Sequence, residues 1–113
     1  MASLGEFELI ARYFTRPVRR AALGVGDDCA LLSVAPDSML AVSSDMLVEG
    51  RHFVSTVAPE RLGHKALAVN LSDLAACGAR PLAFSLSLAL PAADETFLTP
   101  FARGQVAEID GQR

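Results

Sequence analysis

The sequence predicts an α+β fold in which helices pack on one face of a mixed or antiparallel sheet. Apolar runs at 29–34, 39–42 and 82–90 have the length of strands and are bounded by turn residues. Two amphipathic or apolar stretches, one near the N-terminus and one after Pro59, have the length and spacing of helices. The predicted order of helix, hairpin, extended segment, helix, strand and helix is typical of helices laid on a sheet.

In the first half, one helix and a hairpin are predicted. Ser3 and Glu6 have the spacing of a capping box, and GEFELIARYF follows as a short amphipathic helix. The runs 29–34 and 39–42 are joined by the turn residues Ala-Pro-Asp-Ser at 35–38. The two strands are therefore expected to pair with each other as a hairpin.

In the second half, two helices with a strand between them are predicted. Pro59 suits a first helical turn and Gly78 suits a C-terminal cap, so PERLGHKALAVNLSDLAACGA is interpreted as a helix. Residues 82–90 alternate between large apolar and small side chains, which is the pattern of a half-buried strand. Residues 94–109 are predicted to form a weaker helix, interrupted by a proline and a glycine.

The composition is that of one globular domain. The chain has 113 residues, of which 51% are hydrophobic and 20% charged, so it can bury a core. No apolar run has the roughly 18 uncharged residues of a membrane span, and the N-terminus does not resemble a signal peptide. Cys29 and Cys77 are expected to be reduced and buried in a cytoplasmic protein. The net charge of −3 argues against a nucleic-acid partner.

Acidic residues are concentrated between residues 21 and 50, where the chain has five carboxylates and no lysine or arginine. A metal ion would neutralise them if several converge. Asp27 and Asp28 follow a glycine turn that lacks the Lys and Ser/Thr of a P-loop, so this segment would hold phosphate through Mg²⁺. Taken alone, the doublet is better interpreted as a polar turn.

Two further motifs offer hard oxygen ligands. Ser43, Ser44 and Asp45 follow a predicted strand, and their hydroxyl and carboxylate oxygens suit Mg²⁺, although a simple polar turn has the same composition. Asn70 and Asp73 share one face of a helix that is otherwise apolar. A carboxylate on a buried helix is rare unless it is paired or bound to metal, so a functional role is favoured for Asp73.

The two histidines are interpreted differently because of their positions in the chain. His52 follows the segment of Asp45 and is a candidate for the same site, whereas His64 is interpreted as an ordinary surface or core residue. No Ser-His-Asp or Cys-His order predicts an enzyme nucleophile.

Four segments in this order resemble one known family: GEFELIARYF, GVGDDCALL, AVSSDMLVEGRHF and KALAVNLSDLAACGARP. They are similar to the start of the thiamine-monophosphate kinases, within the aminoimidazole ribonucleotide synthetase-like ATP-binding superfamily. The resemblance implies the N-terminal domain of that fold, which pairs through its sheet into a homodimer in the cytoplasm. It also implies ATP-dependent phosphorylation of thiamine monophosphate to thiamine diphosphate, with several Mg²⁺ ions held on aspartates.

The same resemblance implies the residues of the site. His52 would lie beside the phosphate of thiamine monophosphate. No catalytic side chain is implied, because metal ions and positioning carry phosphoryl transfer. Metal ligands are implied at five positions: Asp28, Ser43, Ser44, Asp45 and Asp73.

The C-terminus departs from the family pattern. The family continues with Gly-Gly-Asp-Thr and a second domain, whereas this chain reads IDGQR at its end. Residues 1–113 are therefore predicted to be a single ATP- and Mg²⁺-binding domain without the C-terminal domain, and inactive alone. Two alternatives stay open. One is a sister synthetase of the aminoimidazole ribonucleotide or selenophosphate type, and the other is a non-catalytic dimerisation module.

Overall fold

A computed structural model describes residues 5–15, 21–23 and 29–111 of the chain. These residues group into two compact units, one from Met1–Leu40 with Leu82–Asp94 and one from Ala41–Pro81 with Glu95–Arg113. No helix among the described residues has both the length and the hydropathy needed to cross a membrane. The elements in chain order are α1 (Glu6–Leu9), a π-helical turn (Ile10–Phe14), β1 (Ala21–Leu23), β2 (Leu31–Leu32), α2 (Pro59–Ala76) and α3 (Glu95–Gly111).

The first unit begins with the helix predicted for GEFELIARYF. α1 continues directly into the π-helical turn, and the Leu9 N–H donates to the Gly5 carbonyl at 2.9 Å. Tyr13 is buried, whereas Phe7 is 83% exposed, so the apolar face is only partly covered. The predicted capping residue Ser3 lies outside the described residues.

The hairpin of the first unit differs from the predicted one. β2 lies inside the predicted strand at 29–34, but it pairs antiparallel with β1, with Ala21 opposite Leu32. The predicted partner at 39–42 has no regular secondary structure. The predicted turn is present, because the Ser38 N–H donates to the Ala35 carbonyl at 3.2 Å. The hairpin prediction was wrong because a turn alone does not decide which strands pair beyond it.

The segment at 82–90 also has no regular secondary structure. Its alternation predicts which side chains share a face, but a strand also needs a neighbour that bonds to its backbone. Among the described residues the sheet is limited to β1 and β2. The wider mixed or antiparallel sheet, with helices on one face, is therefore not confirmed.

In the second unit, α2 and α3 pack against each other and form the core. The start of α2 agrees with the prediction at Pro59, which occupies the first helical position. The C-terminal half of α2 is less buried than predicted, since Asp73, Ala75 and Ala76 are exposed. Among the side chains of the two helices that the structure describes, the buried apolar residues are Leu62, Leu67, Leu98, Phe101 and Ala102.

α3 is continuous through Pro100, where an interruption was predicted. An internal proline costs a helix about 3 kcal/mol, because it has no N–H and its ring crowds the preceding turn. On either side of it, Leu98 is 0% exposed and Phe101 is 3% exposed. Burial of two such side chains contributes about 3–6 kcal/mol, which is enough to offset that cost.

Two glycines allow α2 and α3 to approach closely. A Cβ atom added to Gly63 would overlap the backbone carbonyl of Phe101, and one added to Gly104 would overlap the carbonyl of Glu60. Gly104, the glycine at which the helix was predicted to be interrupted, is therefore a point of close contact between α3 and α2.

The predicted glycine cap of α2 is confirmed. Gly78 has a φ of +69°, in the left-handed region. The Gly78 N–H donates to the Ala75 carbonyl at 3.0 Å, and the Ala79 N–H donates to the Leu74 carbonyl at 2.9 Å. These two bonds satisfy carbonyls that the end of the helix would leave without partners.

We expect Gly78→Ala to lower the free energy of unfolding by about 1–2 kcal/mol, the cost of the left-handed conformation for a residue with a Cβ. In the described part of the chain no atom lies within 4 Å of that Cβ position, so the loss would come from the backbone alone. Urea unfolding followed by circular dichroism measures it. Gly78→Asn is the control and should lose less, because Asn tolerates this conformation. Equal losses in the two variants would contradict the assignment.

The two cysteines are free, as predicted, but both are exposed rather than buried. Cys77 is the C-cap residue of α2, where the chain leaves the helix, and Cys29 precedes β2. The burial prediction was wrong because the apolar character of a thiol gives only a tendency to be buried. Each cysteine lies beside the end of a helix or strand, and this position leaves its side chain exposed.

Candidate functional site

A tight turn at 48–53, in the second unit, carries His52. The His52 N–H donates to the Val48 carbonyl at 2.9 Å, and the Arg51 N–H donates to the same oxygen at 3.1 Å. The Gly50 N–H donates to the Phe53 carbonyl at 2.7 Å. Gly50 has a φ of +82°, which glycine adopts without strain. The turn formed by Val-Glu-Gly-Arg-His-Phe is thus held together by hydrogen bonds within its own backbone.

The imidazole of His52 is held by the same turn. The Val48 N–H donates to Nδ1 of His52 at 2.9 Å. Because Nδ1 accepts this hydrogen bond, the neutral ring is assigned its proton on Nε2. His52 is exposed, and Nε2 is the ring nitrogen that remains for a ligand.

A cavity of about 820 Å³ lies beside this turn, within the second unit. Phe53, Val54 and Val57 give it an apolar wall, and Gly104 of α3 also lines it. The first two turns of α2 add the basic side chains Arg61, His64 and Lys65 together with the acidic residue Glu60, so this wall is basic on balance. A cavity with one apolar wall and one basic wall suits a ligand that combines an aromatic part with an anionic group.

Arg61 and Lys65 were not identified as site residues from the sequence. A signal was present, because Arg61, His64 and Lys65 have the i, i+3, i+4 spacing of one helix face. His64 is exposed, in agreement with the surface interpretation, although it also lines the cavity.

Lys65 connects α2 to the turn. Its Nζ donates to the backbone carbonyl of His52 at 2.8 Å, across 13 residues of sequence. The predicted substrate residue is therefore bonded at its ring, its N–H and its carbonyl.

The predicted metal ligands of the second unit are exposed. Ser43, Ser44 and Asp45 lie in a segment without regular structure, and Asp73 lies near the C-terminus of α2. The burial argued for Asp73 was wrong, because the C-terminal half of α2 is less covered than its apolar sequence indicates. Asp28 and its neighbour Asp27 lie outside the described residues.

Asn70 precedes Asp73 by one helical turn and has an oxygen without a partner. Its Nδ2 donates to the Ala66 carbonyl at 2.9 Å, which fixes the orientation of the amide. Its Oδ1 is buried and, within the described part of the chain, accepts no hydrogen bond. A buried acceptor of this kind is costly unless a donor or a cation reaches it.

The donor atoms of these residues fit a hard cation such as Mg²⁺, since they are hydroxyl, carboxylate and amide oxygens. The residues described by the structure do not, however, bring three or more His, Cys, Asp or Glu side chains together around one point. The metal ligands named from the sequence remain predictions.

Comparison with known proteins agrees with the predicted resemblance. A protein from Haemophilus influenzae is 47% identical over 104 residues, which cover 89% of this chain and 32% of the relative. A protein from Escherichia coli K12 is 54% identical over 102 residues, which cover 87% of this chain and 31% of the relative. A protein from Corynebacterium glutamicum is 41% identical over 113 residues, which cover 97% of this chain and 33% of the relative.

All three relatives are named thiamine-monophosphate kinase. The chain spans about a third of the length of these curated relatives. The family model described as "AIR synthase related protein, N-terminal domain" matches residues 26–110, which is most of the chain. The chain therefore belongs to the family of AIR synthase related proteins, as their N-terminal domain.

Proposed function

We propose that this chain is the N-terminal part of a thiamine-monophosphate kinase. Such an enzyme transfers the γ-phosphoryl group of ATP to thiamine monophosphate and forms thiamine diphosphate and ADP. The observation that carries the proposal is the 54% identity over 102 residues to the Escherichia coli relative of that name. The turn at 48–53 and the cavity beside it support it.

His52 would contact the phosphate of thiamine monophosphate. Its Nε2–H is a donor suited to a phosphate oxygen, and the nearby basic wall of α2 favours an anion. The apolar wall of the cavity would accept the aromatic rings of the substrate. Held in this way, the substrate would meet ATP with little loss of entropy at the moment of reaction.

Mg²⁺ would be held by Asp28, Ser43, Ser44, Asp45 and Asp73, and it would screen the charge that gathers when two phosphate-bearing reactants meet. Asn70 would add its unpartnered amide oxygen near Asp73. The protein's own part in the reaction is then to hold the reactants in line and exclude water, with no nucleophilic side chain.

We further propose that residues 1–113 act as one domain of a longer enzyme in the cytoplasm, that they are inactive alone, and that the enzyme is a homodimer joined through this domain. Coverage of about a third of each relative supports the first point. Exposed apolar side chains support the last, since such surfaces are typical of protein contacts. Those of the first unit include Leu31, Val34, Leu40, Phe84 and Leu88.

A sister synthetase is the second candidate, because the matching family model is described by AIR synthase rather than by a kinase. Aminoimidazole ribonucleotide synthetases and selenophosphate synthetases also consume ATP. They differ in the acceptor, so the acceptor requirement separates the two functions.

The test uses a chimera in which this chain replaces the matching third of the Escherichia coli relative. We expect ADP formation that requires thiamine monophosphate, with thiamine diphosphate as the chromatographically identified product. Thiamine, formylglycinamidine ribonucleotide and selenide serve as control acceptors. ATP consumption that depends on either of the last two would support a synthetase, and a folded chimera without any turnover would support a non-catalytic module.

A further inference from the structure

The bond between Lys65 and the turn is the starting point. Lys65 belongs to α2, whose residues Leu62 and Leu67 are buried in the helical core. Its Nζ reaches the carbonyl of His52 at 2.8 Å. The other hydrogen bonds described at His52 are local, because they join it to Val48, four residues away.

This difference in range has a mechanical consequence. Exposed turns closed only by local hydrogen bonds open at little cost in free energy. A bond to a helix that is anchored in a core removes part of that freedom. Lys65 therefore couples the position of His52 to the packing of α2, while the bond from the Val48 N–H selects the ring nitrogen that carries the proton.

We propose that Lys65 is a positioning residue that holds His52 at the wall of the cavity in its Nε2–H form. A ligand then meets a preformed donor rather than a ring that must be ordered on binding. The identity of that ligand as thiamine monophosphate rests on the proposed function, whereas the positioning of His52 does not.

Magnetic resonance of the chain with ¹⁵N-labelled histidine tests the positioning directly. The two ring nitrogens of a neutral histidine differ in chemical shift, so the spectrum reports the tautomer, and His64→Gln assigns the signals. We expect wild type to show His52 in one form, with the proton on Nε2. Lys65→Met should show averaging of both tautomers, and Lys65→Arg should restore the single form, because a guanidinium also donates to a carbonyl.

Arg61→Met is the matched control. It removes a cation from the same helix face and the same cavity wall, but it keeps the bond from Lys65 to His52. We expect it to keep the wild-type tautomer. If Lys65→Met does not fold, Lys65→Ser replaces it, since serine is too short to reach the carbonyl. An unchanged tautomer in a folded variant without the Lys65 amine overturns the inference.

Binding of thiamine monophosphate to the chimera separates the inference from the function on which it rests. By calorimetry, Lys65→Met is expected to weaken binding about fivefold more than Arg61→Met, which removes an equal charge from the cavity wall but keeps the bond to His52, and Lys65→Arg should recover most of the loss. Absence of binding in the wild-type chimera would contradict the proposed substrate. The tautomer experiment would then still decide the role of Lys65.

Discussion

Gly63→Ala is expected to lower the free energy of unfolding by about 3 kcal/mol, at the upper end of the range for overpacked sites. The added Cβ would overlap the carbonyl of Phe101, which is backbone of α3 and does not move aside by changing a rotamer. Alanine is a better helix former than glycine by about 1 kcal/mol. The steric cost exceeds that gain, so the net effect is destabilising.

Urea unfolding of the chain, followed by circular dichroism, measures the effect. Gly104→Ala should give a loss of similar size, because its Cβ would overlap the carbonyl of Glu60 in the facing helix. Gly5→Ala is the control for an added methyl group: among the described residues no atom lies within 4 Å of its Cβ position and its φ of −71° is open to alanine, so it should lose at most about 1 kcal/mol, the cost of alanine at the N-cap of α1. A stable Gly63→Ala variant would mean that α2 and α3 lie farther apart than in this structure.

Asp45→Asn in the chimera is expected to weaken Mg²⁺-dependent binding of ATP by at least about a hundredfold. The amide keeps the size of the side chain but removes its negative charge. Loss of a charged ligand lowers the binding free energy of a divalent cation by several kcal/mol. Asp73→Asn is expected to have a comparable effect. Both predictions follow from the proposed metal ligands.

Calorimetric titration with ATP, with and without Mg²⁺, measures the effect without relying on turnover. Asp37→Asn is the control, because Asp37 is an exposed carboxylate of the same acidic stretch but is not a predicted ligand. Its φ of 61° is tolerated by asparagine, so the exchange should not strain the turn. If the variants of Asp45 and Asp73 both retain Mg²⁺-dependent binding, the proposed metal site is wrong.

The parts of the fold that were predicted correctly depend on local signals. Pro59 marks the start of α2 and Gly78 its cap, and both act within one or two helical turns. The strands at 39–42 and 82–90 were predicted wrongly. Their apolar residues indicate a tendency to be buried, but a strand also needs a second strand elsewhere in the chain to pair with. β2, for example, pairs with β1 rather than with residues 39–42.

The candidate site shows the same division. Residue types and their spacing named His52, Asp45 and Asp73, and the structure places all three on the surface of the second unit. The cavity and the bond from Lys65 were not predicted. Both depend on how the turn at 48–53 lies against the first turns of α2, which no local pattern specifies.

By itself, the sequence determined the family, the start of α2 and its glycine cap, because each is encoded in short ordered motifs. Only the tertiary structure decided three other properties: the close contact at Gly63 and Gly104, the continuity of α3 through Pro100, and the exposure of Asp73. The physical reason is the range of the interactions. Capping and turn formation act between near neighbours, whereas steric contact and burial arise only when distant segments meet.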